Sequence, residues 1–137
     1  MVAKRLLVID DDANIAQIIC RAAAEMGFDA RHVNGDITQT VCKEFQPDII
    51  TLDILMPEMD GFEVIKFIEA NDIKSRVIIL SGSPESYRKI ADTLGKAVNI
   101  SIEANLRKPF RLQELREVLE RISASIDAEK ATKLKKA

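Results

Sequence analysis

The stretch RLLVIDDD, Arg5 to Asp12, runs Leu6, Leu7, Val8 and Ile9 straight into Asp10, Asp11 and Asp12. Four consecutive apolar residues are too short for a helical stripe and read as a buried strand. Three carboxylates placed directly after such a strand repel one another and are costly to desolvate, so a positive partner is required.

The residues that follow change period. Ile15, Ile18, Ile19, Ala22, Ala23 and Met26 fall at i, i+3, i+4, i+7, i+8 and i+11, one apolar stripe that Gly27 terminates. Asp12 is placed to cap this helix, its charge complementing the helix dipole. The same alternation recurs along the chain, with further strands at Asp29 to Val33, Ile49 to Leu52, Val77 to Leu80 and near Ala104 to Arg107. Between them Asp36 can cap a second helix ending about Phe45, and Pro47 keeps the chain extended before the third strand. Asp60 can cap a third, with Phe62, Ile65 and Ile68 facing inward, and Ser83-Pro84 opens a fourth carried by Ile90, Ala91 and Leu94. A fifth puts Leu112, Leu115, Leu119 and Ile122 on one face, although Arg111 is a poor cap. Strands alternating with crossover helices define an α/β fold with a parallel sheet.

With 137 residues, 47% apolar and a formal net charge of -2, the chain suits one ordinary domain. We expect that domain to span residues 1 to 122, followed by a polar tail or helix extension from 123 to 137. The near-neutral balance argues against direct nucleic-acid binding, the basic end EKATKLKKA reading as a solvated helix end. There is no signal-peptide core and no apolar run of membrane length, which points to the cytoplasm and no membrane partner. Cys20 and Cys42 lack any metal-ligand spacing and read as small hydrophobes; the single His32 reads as a surface or strand residue.

Ligands of an open parallel sheet bind at the carboxyl ends of the strands. Strand one ends in Asp10 and Asp11, strand three in Asp53, strand four in Ser81 and strand five in Lys108. Taken together they put three carboxylates, a hydroxyl and an ammonium on one edge. Three carboxylates make a hard oxygen cage suited to Mg2+, which tolerates few protein ligands and retains waters. One acid can then attack a phosphoryl group to form an aspartyl phosphate, with Lys108 opposing the phosphoryl charge and Ser81 offering a hydrogen bond. Met56 and Met59 are packing residues, because thioethers suit softer ions.

These residues resemble the receiver domains of two-component response regulators, the CheY-like family. The resemblance is carried by VIDDD, by TLDILMPEMDGFE (Thr51 to Glu63), by LSG at the end of strand four and by RKPF after strand five, and it covers Lys4 to Ile122. It implies a doubly wound five-stranded parallel sheet in the order 2-1-3-4-5 with helices on both faces. It also implies Asp53 as the phosphoacceptor, Asp10, Asp11 and the Leu55 carbonyl as further Mg2+ ligands, Ser81 as the phosphate-sensing hydroxyl, Lys108 as the phosphate-binding cation and a cis Lys108-Pro109 bond. The implied partners are a sensor histidine kinase or histidine phosphotransfer protein and an output protein or domain of unknown identity. A homodimer through the face of helix four, strand five and helix five is a further option. The chain would be a signalling phosphoacceptor, not an enzyme.

Two features depart from the family pattern. The position three before the lysine, usually aromatic and part of the switch, is Asn105, and the segment from Ser81 to Lys108 is longer than usual. We therefore expect Ser81 to signal through the loop at 82 to 87. Leu55 and Ser83, beside the phosphate, carry no group that orients water firmly, which implies slow self-dephosphorylation. Two rivals use the same residues differently. Phosphatases similar to haloacid dehalogenase need a carboxylate two residues after the nucleophile, where Leu55 stands. A receiver-fold interaction module that is never phosphorylated usually lacks one of the acids or the lysine. No segment after Ile122 reads as an output domain, leaving a stand-alone receiver or a piece of a longer regulator.

Overall fold

The apolar runs assemble as β1 (Arg5–Ile9), β2 (Asp29–Val33), β3 (Ile49–Asp53), β4 (Arg76–Ser81) and β5 (Ser101–Arg107), all parallel, in the order β2-β1-β3-β4-β5. The computed structural model describes residues 3–54, 61–82 and 100–136. Around the sheet lie α1 (Ala13–Glu25), α2 (Thr38–Phe45), α3 (Gly61–Ala70) and a C-terminal helix (Leu112–Lys136). The helix expected after Ser83-Pro84, and Asp60 as a cap, lie outside the described residues.

The two faces have separate cores. Leu6, Val8, Ile78 and Leu80 point toward Ala16, Ile19 and Ala23 of α1 and Leu115, Leu119, Ile122 and Ile126 of the C-terminal helix. Leu7, Ile9, Ile50, Leu52 and Ile79 point the other way, onto Cys42 and Phe45 of α2 and Val64, Ile65 and Ile68 of α3. Alternate residues of one strand thus feed opposite cores, which explains why β1 reads as an almost unbroken apolar run and β3 as one interrupted only by the buried Thr51 before its final aspartate. Each fully buried Leu or Ile contributes about 1.5–3 kcal/mol.

Local signals set the ends of these elements. Asp12 Oδ1 accepts from the backbone N–H groups of Asn14 and Ile15, at 3.0 and 3.2 Å, and so caps α1. Gly27 follows α1 with φ +95°, a left-handed conformation that a side chain would resist. Gly61 is required for space: a Cβ there would lie 2.7 Å from Ile54 Cα and 2.8 Å from the carbonyl oxygens of Asp53 and Ile54. This close approach seats the start of α3 against the end of β3.

Two expectations are corrected. Asp36 does not cap α2; it sits inside a 3-10 turn at Gly35–Ile37, and α2 starts at Thr38 without a side-chain cap. The extra turn absorbs the residues that the cap reading assigned to the helix. Ile18 belongs to the α1 stripe by spacing but is 55% exposed, because the stripe is wider than the sheet surface that covers it. Arg111 gives the last helix no side-chain cap among the described residues: its carbonyl accepts from Glu114 and Leu115 N–H, and the side-chain contact comes from Glu114, whose Oε1 lies 3.4 Å from the Arg111 N–H.

The C-terminal helix runs through residue 122 without a break. Its later half is fastened to the sheet by Ile126 in the core, by Asp127 on Lys4 at 2.9 Å and by Glu129 on Arg76. Opposite it, the β4–β5 register slips between Val77 and Ile78, which pair with Ile102 and Ala104. Glu103 is the extra residue, a bulge whose carboxylate meets Arg76 Nη1 at 2.8 Å and whose carbonyl accepts from Arg121 at 3.1 Å.

Candidate functional site

At the carboxyl edge of the sheet, β1 delivers Asp10 and Asp11, and β3 delivers Asp53. One carboxylate oxygen of each lies within 4.8 Å of the others. Asp10 is wholly buried and Asp53 is 5% exposed, whereas Asp11 faces solvent. Lys108, just after β5, reaches back with Nζ 3.3 Å from Asp10 Oδ2 and 3.2 Å from Asp53 Oδ2. Burial pulls the ammonium down, but the charges of Asp53 and Asp10 and the hydrogen bonds they accept outweigh it. The Lys108 pKa therefore lies above the usual lysine value. Its backbone is fixed too: Lys108 N–H donates to the Ser81 carbonyl at 2.7 Å, and the Lys108–Pro109 peptide is cis.

Three carboxylates and one ammonium leave a formal charge of -2, which a single dication balances. The donor set is all oxygen. In a Mg2+ octahedron with bonds of about 2.1 Å, ligand oxygens stand about 3–4 Å apart, so a small contraction of the cluster fits the ion. The expected Leu55 carbonyl ligand, and Ser83, lie outside the described residues. So does the fourth helix of the expected dimer face.

Ser81 ends β4 fully buried, and its hydroxyl lies 3.2 Å from Asn105 Oδ1, to which it donates. The loop expected to carry its signal lies, beyond Gly82, outside the described residues. Among the described residues the hydroxyl is joined to Asn105, at the position the resemblance expects to be aromatic. His32, read from sequence as an inert strand or surface residue, stands on β2 with Nε2 2.6 Å from the Asp10 carbonyl oxygen. Only the parallel register of β1 and β2, invisible in a linear pattern, brings it there.

A doubly wound sheet with acids after β1 and β3 and a lysine after β5 defines a class, and the comparisons agree with it. Residues 6–120 match the model of the response regulator receiver domain. The chain belongs to that family, the receiver domains of two-component response regulators. It is 32% identical over 124 residues to the chemotaxis protein CheY of Thermotoga maritima, covering 88% of this chain and 98% of that one. It is 32% identical over 116 residues to the DNA-binding response regulator MtrA of Mycobacterium tuberculosis, covering 82% of this chain but 47% of MtrA. Among solved structures, the receiver domain of Francisella response regulator 1452 superposes with a TM-score of 0.73 at 30% identity, covering 89% of this chain and 98% of that one.

The chain thus spans nearly all of one relative and less than half of another. The expectation that nucleic acid is no partner finds no support here, because one relative is a DNA-binding regulator. Among the described residues, no helix is long and apolar enough to cross a membrane.

Proposed function

We propose that Asp53 is the phosphoacceptor of this receiver and that transfer requires Mg2+ held by Asp10, Asp11 and Asp53. The observation that supports this most is the meeting of the three carboxylates within 4.8 Å, with Lys108 spanning Asp10 and Asp53. An Asp53 carboxylate oxygen forms a bond to phosphorus as the P–N bond of a phosphohistidine breaks, and the electron pair of that bond stays on the imidazole nitrogen. The donor is a histidine kinase or a histidine phosphotransfer protein. Mg2+, when bound, supplies charge neutralisation at the phosphoryl oxygens. Lys108 then turns its ammonium from the carboxylate pair to the new phosphoryl oxygens, and Ser81 donates its hydroxyl to one of them. Each transfer modifies the chain itself, so the protein acts as a phosphoacceptor and not as a turnover enzyme. The phosphorylated surface is read by an output protein or by an attached output domain.

Intact mass after treatment with a small acyl-phosphate donor, with and without chelator, tests this reading. One phosphoryl group should be gained only with Mg2+ present and only while Asp53 is intact. An Asp53→Asn variant that gained the same mass would overturn the assignment. No gain from any donor would favour an unphosphorylated interaction module. Release of phosphate from many phosphoesters would favour a phosphatase.

A further inference from the structure

His32 occupies edge strand β2, its Cα paired with that of Val8 on β1. Its ring spans the end of β1 and places Nε2 2.6 Å from the Asp10 carbonyl oxygen. A carbonyl oxygen can only accept, so Nε2 carries the proton and donates. Asp10 is thereby held at three atoms. Oδ1 accepts from the Asp12 N–H at 2.9 Å, Oδ2 from Lys108 Nζ at 3.3 Å and the carbonyl oxygen from His32. That carbonyl belongs to the Asp10-Asp11 peptide, a rigid plane. Whatever fixes the plane also fixes where the Asp11 Cα lies, the point from which its exposed side chain leaves the turn.

We propose that His32 is a positioning residue for the cation site: by donating to the Asp10 carbonyl it holds the Asp10-Asp11 peptide plane, and so the backbone from which two of the three carboxylates reach toward Mg2+. This rests on the cation site proposed above. His32 touches neither the ion nor the reacting oxygen; it acts through the peptide, as groups outside a coordination sphere do when they orient its ligands. Both neutral imidazole with its proton on Nε2 and imidazolium donate from that atom, so the role does not depend on the charge of the ring.

Calorimetric titration of the unphosphorylated protein with MgCl2 alone, for wild type, His32→Leu and His32→Gln, tests the role. Leu offers no donor, whereas the Gln side-chain amide can restore one. His32→Leu should raise the Mg2+ Kd about fivefold and His32→Gln should stay within about twofold of wild type. A second readout needs no metal: the carbonyl-carbon chemical shift of Asp10 should move in the Leu variant and hold in the Gln variant. Melting temperatures without metal should be alike, since His32 is exposed. Three equal Mg2+ constants would overturn the role of His32 while leaving the cation site standing, as would a Gln variant as weak as Leu. A wild type that takes up no Mg2+ would remove the cation site itself, and this role with it.

Discussion

Ser81 has one hydroxyl proton, and in this structure Asn105 Oδ1 receives it. A phosphoryl group on Asp53 would offer a charged acceptor in its place, and one proton cannot serve both. Asn105→Ala removes the competitor and should tighten binding of a phosphate mimic about threefold, a fraction of one net hydrogen bond. Amide shift titration of both proteins measures it; unchanged or weaker binding in the variant would show that Asn105 does not restrain the hydroxyl. That Asp10, Asp11, Asp53, Ser81 and Lys108 gather at one edge was legible because each stands at the end of a strand, and a parallel sheet brings such ends together. The bonds that orient them were not. Asn105 on Ser81 and His32 on Asp10 are contacts between strands, set by register and side-chain reach. A linear sequence holds the period of a strand but not its alignment with a neighbour.

The longest helix is also the one most tied down at a distance from the site. Arg76, at the start of β4, joins the Glu103 bulge to Glu129 and Ser125 of the C-terminal helix. Burial would push the Glu103 carboxyl up, but hydrogen bonds from Arg76 and Ser101 and the charges of Arg76 and Arg121 outweigh it and hold its pKa below the ordinary glutamate value of 4.5. Because the folded pKa is depressed, the stabilisation is present above that value and is lost as the pH falls through the folded pKa. Glu103→Gln should therefore cost about 1 kcal/mol at neutral pH, an allowance for partial exposure included. The gap from wild type in denaturant titrations should narrow at lower pH; a gap that widened instead would reverse the sign assigned to Glu103. At this scale the sequence was informative where period and capping agreed, as in α1 with Asp12 and Gly27. It misled at Asp36, where a 3-10 turn intervenes, and it was silent at Glu103, since a bulge leaves no compositional mark. The continuation of the last helix is accompanied by Lys4–Asp127 and Arg76–Glu129, pairs whose members stand far apart in the sequence.

Across the whole molecule the fold was read almost completely, because alternation of buried strands with amphipathic helices admits few arrangements. The distribution of burial has a further outcome. Every residue of β3 is buried and both its neighbours are paired strands, whereas β2 and β5 lie at the edges and the end of the last helix is exposed. Proteins open in cooperative units whose free energies range from near zero at frayed ends to the global value in the core. Amides of Ile50 to Asp53 should thus exchange with solvent deuterium only when the whole chain unfolds, while those of β5 and the last helical turns should exchange through smaller openings. Asp53 should accordingly keep its capacity to accept a phosphoryl group up to the main unfolding transition in urea, measured by mass after donor treatment at each concentration. Loss well before that transition would show that the acid edge opens alone. The residue proposed to carry the modification thus sits in the last unit to open, and the edge strand that holds Asn105 sits in one of the first, so the domain should yield at that margin long before it yields at Asp53.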